Sequence, residues 1–105
     1  MDRSLTLRRI VEDYAIPTIN GDTPYVIADE QQHHYLLVFI GWEGVQQEYH
    51  VVLHLQLRGD TVWVHRDRTS EDVTQDLIAT GIPTNQIVLG YRPTETRSLA
   101  GFAAG

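Results

Sequence analysis

Leu7, Ile10, Val11 and Tyr14 fall at i, i+3, i+4 and i+7, the single apolar stripe of an amphipathic helix. Pro17 stops that helix, and Asn20-Gly21-Asp22 marks the loop after it. The period then changes. Tyr25 to Asp29 predicts a short strand, and His34 to Trp42, dense in β-branched and aromatic residues, a second, with Glu43-Gly44 as its turn. A third strand is expected from about Glu48 to Leu57 and a fourth from Thr61 to His65. In the third, Val51, Leu53, Leu55 and Leu57 share one face, while His50, Val52, His54 and Gln56 share the other. Gly59-Asp60 is a two-residue hairpin loop, with glycine supplying the positive φ of a type II′ turn. That turn sets Leu57 against Val62, Gln56 against Trp63, Leu55 against Val64 and His54 against His65.

Beyond the hairpin, Thr69-Ser70-Glu71-Asp72 predicts a helix start, with Thr69 capping free amides and two acids at the positive end of the dipole. Val73, Leu77 and Ile78 form its expected buried stripe, and Gly81 followed by Pro83 ends it. Ile87-Val88-Leu89 is a last apolar segment before a Gly90-Tyr91 turn, and the apolar tail from Leu99 to Gly105 must dock somewhere. The pattern therefore predicts one α+β domain over residues 1–105. Its parts are an N-terminal helix, an antiparallel four-stranded meander sheet, a C-terminal helix and a short apolar terminal segment.

A chain of 105 residues supports one core. With no cysteine, disulfides, thiolate catalysis and Cys-based zinc sites are excluded. The longest apolar run, Tyr35 to Ile40, falls far short of the ~20 residues of a spanning helix, and no signal-peptide core follows the first charges. A cytoplasmic protein is expected. Fourteen acids against eight bases give a formal charge of −6, and every base is arginine. The lack of lysine excludes lysine chemistry and the P-loop. Arg58, Arg66 and Arg68 are the one local basic patch in reach of DNA, against an overall acidity that phosphate binding disfavours.

Catalytic and metal sites find no support. Ser4, Ser70 and Ser98 lie in no nucleophile elbow, and Glu12-Asp13, Asp29-Glu30 and Glu71-Asp72 read as solvated pairs. His50-x-x-x-His54 lies on a strand, where four residues separate side chains by ~13 Å. His33 and His34 would face opposite sides of a strand holding both. Only His54 and His65 come close, and two imidazoles without a third ligand in view make a weak metal site. No cofactor is implied. Strand two is apolar on both parities, Leu36, Val38, Ile40 and Trp42 against Tyr35, Leu37 and Phe39, so it calls for cover on both sides. Two modest helices cannot cover two faces. The amphipathic face with Trp42, His54, Trp63 and His65, together with Phe102 of the tail, is the candidate partner-binding surface, and self-association is the other way to cover it.

The runs HYLLVFIGWEG, VVLHLQLRGDTVWVHRD, TSEDVTQDLIATGIPTNQIVLGYRP and RSLAGFAAG, in that order, resemble the XisI family of fdxN element excision controlling factors. The resemblance spans about Tyr35 to Gly105. It is carried by Gly41-Trp42 at a strand end, Gly81-Ile82-Pro83, Ile87-Val88-Leu89-Gly90 and Gly101-Phe102-Ala103. It implies a non-enzymatic accessory factor in programmed excision of a DNA element, working beside a recombinase and an XisH-like protein partner, with no catalytic residues to carry over. Direct DNA binding through Arg58, Arg66 and Arg68 is the alternative. His65, where the family commonly has Gln, is a departure that further weakens a metal site. Arg68 and Leu99-Ala100 also depart from the family pattern.

Overall fold

The computed structural model describes residues 2–19 and 21–105. Met1 and Asn20, the latter part of the expected Asn20-Gly21-Asp22 loop, lie outside the described residues. Helix α1 (Arg3–Asp13) opens on Asp2, whose Oδ1 accepts the Ser4 backbone N–H at 3.0 Å. Its stripe of Leu7, Ile10 and Val11 is buried, as the spacing predicts. Strands β1 (Thr23–Asp29), β2 (His34–Glu43), β3 (Gln46–Arg58) and β4 (Thr61–Asp67) then form an antiparallel meander. Helix α2 (Val73–Ala79) crosses over, and β5 (Ile87–Leu89) adds to the far edge parallel to β4, in the order β1-β2-β3-β4-β5.

The α+β class holds, but the expected four-stranded antiparallel sheet is corrected to a five-stranded mixed one. Three residues are too few to show a period. Ile87, Val88 and Leu89 are all buried, and a parallel neighbour requires a crossover, which α2 provides.

The β3–β4 hairpin turns on Gly59 at φ +60° with Asp60 at negative φ, the type II′ geometry expected. Gly44 at φ +61° with Val45 does the same for β2–β3, so the turn is Gly44-Val45 and Glu43 stays in its strand. Each hairpin is interrupted once by a bulge. In β2–β3, Leu37 faces Leu53 but Val38 faces Val51, leaving Val52 as an extra residue. In β3–β4, Leu55 faces Val64 but His54 faces Arg66, leaving His65 extra, so the expected His54–His65 pairing is corrected.

The first bulge inverts the alternation of β3. Leu53 and Leu55 are buried under the helices as expected, but Val52 packs on the same core and His50 pairs with Phe39 of that side. Val51, expected beside Leu53, pairs with Val38 on the opposite face. The core is one cluster. Leu7, Ile10 and Val11 of α1 meet Tyr35, Leu37 and Phe39 of β2, Leu53 and Leu55 of β3, Val62 and Val64 of β4, and Val73 and Leu77 of α2.

The cap of α2 is Asp72, whose Oδ1 accepts the Thr74 N–H at 3.0 Å, and not Thr69. Asp67 at the end of β4 takes the Thr69 N–H at 3.1 Å and the Val73 N–H at 3.1 Å, folding the intervening residues into a turn. In α2, Thr74 occupies the buried position expected of Ile78, which is 37 % exposed. After a 3-10 segment (Thr94–Ala100), Ala103 N–H donates to Ile87 O at 2.9 Å and Phe102 packs against the core. The tail therefore docks on its own fold.

Candidate functional site

Both helices lie on one face of the sheet. The opposite face collects the side chains that share register with Val38: Tyr25 and Ile27 from β1, Leu36, Ile40 and Trp42 from β2, and Tyr49 from β3. Tyr25 is 49 %, Ile27 48 %, Trp42 65 % and Tyr49 59 % exposed. Nothing else in the described chain covers this end. Exposed apolar area of this kind on a sheet face is what protein interfaces use.

Farther along the same face the surface becomes polar and aromatic. His34 Nδ1 lies 2.9 Å from His54 Nε2, a hydrogen bond that requires one ring to carry the proton between them. The His54 and His65 rings are 4.8 Å apart, and His34 and His65 6.3 Å. The sequence pattern pairs only His54 with His65. The third imidazole, His34, is brought in because the β2–β3 bulge sets it opposite Gln56. The register of the Gly44 turn carried straight on would instead have put His54 opposite Tyr35, on the helix side and away from His34.

Gln56 Oε1 accepts from Arg58 Nε at 3.1 Å and pairs with His65 Nε2 at 2.8 Å, so that nitrogen of His65 carries its proton. Burial, then the neighbouring His65 and His34 rings and the Arg66 guanidinium, push His54 down to about 4. His65 is also lowered, by burial and then by Arg58, His34 and Arg97. Both shifts favour the uncharged form of His54 and His65. Among the described residues, no set of three or more His, Cys, Asp or Glu side chains is arranged to hold a metal ion.

The two tryptophans differ. Trp63 is partly buried, with the Arg58 guanidinium 3.9 Å and the Arg97 guanidinium 5.2 Å from its ring centroid. The ring of Trp63 also lies against Gly105 of the tail. Trp42 carries no such cover. Of the expected partner-binding residues, the fold brings His54, Trp63 and His65 together, leaves Trp42 at the open end of the same face, and commits Phe102 to the core.

Of the three arginines of the DNA-binding alternative, Arg58 and Arg66 flank the histidine cluster and Arg68 does not. Arg58 stacks on Trp63, Arg66 stands at the bulge opposite His54, and Arg68 lines a cleft on the helix side. No helix among the described residues is long and apolar enough to cross a membrane.

A family model described as "XisI protein" matches residues 2–104. A crystal structure of a XisI-like protein from Anabaena variabilis superposes with a TM-score of 0.90 at 21 % identity, covering 98 % of this chain and 96 % of that one. The fdxN element excision controlling factor XisI from the same organism superposes with a TM-score of 0.84 at 27 % identity, again covering 98 % and 96 %. No curated protein sequence matches the chain.

Proposed function

Starting from the chain's membership of the XisI family, shown by a match over residues 2–104, we propose that it is a non-enzymatic accessory factor of programmed DNA-element excision. It acts by binding a protein partner, an XisH-like protein, through the open face of its sheet. The observation that carries this reading is the one-sided cover of the sheet. Tyr25, Ile27, Trp42 and Tyr49 stand exposed on the face that both helices leave bare. The resemblance to an excision controlling factor supplies the process, and the surface supplies the mode of action. A charge of −6 suits a protein that meets a basic partner, since opposite potentials steer encounter and penalise wrong pairings.

The test is size-exclusion chromatography with light scattering, on the protein alone and mixed with an XisH-like protein. A stable mixed complex that is lost in Trp42→Ser/Tyr49→Ser, with folding intact, is the expected result. A complex indifferent to these changes removes the sheet face from the reading. A homo-oligomer that ignores the second protein assigns the face to self-association instead. If neither assembly forms and DNA is retained with a steep salt dependence, direct DNA binding replaces partner binding.

A further inference from the structure

On the other side of the sheet, where α1 and α2 end, lies an open cleft of about 910 Å³. Its floor is apolar: Ile10, Leu37, Phe39 and Val52, with Ile16 on the wall. Its rim is acidic: Asp13, Asp22, Glu71 and Asp76, set against Arg68 and His50. One of the carboxylates is held by a hydrogen bond, and another lies over the sheet. The Tyr14 hydroxyl donates to Asp76 Oδ2. Asp22 sits so close over Gly41 that a Cβ there would lie 2.0 Å from Asp22 Oδ1.

A second cleft of about 460 Å³ shares Asp22 and His50 with the first and adds Glu43, Glu48 and Trp42. The two make one trough, running from beneath the helices to the end of the sheet. Acids recur along its length.

We propose that this trough binds an extended basic segment of a protein partner, an apolar side chain seated on the Leu37–Phe39–Val52 floor and flanking arginine or lysine side chains on the carboxylate rim. An apolar floor in an anionic rim selects for both properties together. The same rim repels phosphate, which excludes nucleic acid as the occupant. A second copy of this chain is disfavoured by its own charge of −6. The continuation past Asp22 makes the site longer than a compact small-molecule pocket. The proposal rests on the reading of the protein as a partner-binding factor, and its surface meets the open sheet face only at Trp42, at the end of the sheet.

The probe is a set of three end-blocked pentapeptides titrated calorimetrically into the full chain at low salt: alternating arginine and leucine, alternating arginine and serine, and alternating glutamate and leucine. The arginine–leucine peptide should bind at least about tenfold more tightly than the other two. Asp22→Asn/Glu71→Gln and, separately, Ile16→Ser should each weaken it about tenfold without lowering the melting temperature. Ile16 is 68 % exposed, so its replacement leaves the core intact. Equal binding of the arginine–serine peptide, unchanged affinity in the variants, or no binding overturns the proposal. A mixed complex with an XisH-like protein that survives Asp22→Asn/Glu71→Gln also overturns the trough while leaving partner binding standing. Absence of any mixed complex overturns the partner reading, and the peptide titration still decides the trough.

Discussion

His54 shows how a single side chain takes its character from its neighbours. Its pKa falls from 6.5 to about 4, first through burial and then through the His65 and His34 rings and Arg66. A base whose folded pKa is depressed is protonated more readily in the unfolded chain. Its contribution to stability is therefore complete above about pH 6.5 and is lost as the pH falls toward 4. Melting temperatures across that window should decline in the wild type and decline less in His54→Gln. A parallel decline in both would mean that the titration lies elsewhere. Gly41 is the second decisive position. A methyl group there meets the Asp22 carboxylate at 2.0 Å, so Gly41→Ala should displace Asp22 and cost ~1–3 kcal/mol in urea unfolding. Composition alone marks Gly41 as a strand residue near a turn. That it has a carboxylate overhead follows only from the folded chain.

The elements divide between those that state themselves locally and those that do not. Helix α2 has seven residues, too few to hold by propensity, so its cap matters. Asp72→Ala should lower stability by ~1 kcal/mol in the same urea measurement, while Thr69→Ala should cost less of helix α2, since its hydroxyl caps no amide there. The sequence pattern points to Thr69 because a Thr shortly before two acids is a common helix start. The side chain of Asp67, arriving from β4, won that segment instead. Strand β3 is held from the core side by Leu53 and Leu55, both fully buried. Leu53→Ala should cost ~2–5 kcal/mol, the range for a large cavity in a core that cannot collapse. The alternation that identifies Leu53 and Leu55 as core residues is plain in the sequence. The extra residue Val52 is not, because a bulge changes the face of everything beyond it without changing any local pattern.

At the scale of the molecule, two surfaces remain unfilled, one on each side of the sheet, and they meet at Trp42 at its end. The bare face carries Tyr25, Ile27, Trp42 and Tyr49, and the trough beneath the helices joins an apolar floor to an acidic rim. Because Trp42 and Tyr49 are exposed, Trp42→Ser/Tyr49→Ser should leave stability within about 0.5 kcal/mol by urea unfolding. A large loss would mark the pair as structural and disqualify them as an interface probe. The need for such a face was legible in β2, which is apolar on both parities in a chain with only two modest helices. The sequence by itself determined the α+β class, the order of the helices and the meander, the glycine turns and the core stripe of α1, since each rests on residues adjacent along the chain. Tertiary structure alone decided the fifth strand, the two bulges, the gathering of His34 with His54 and His65, and the capping of Trp63 by Arg58, Arg97 and the tail. Those features join residues distant in sequence, and a one-residue shift in strand pairing, invisible to local periodicity, exchanges the faces on which side chains meet.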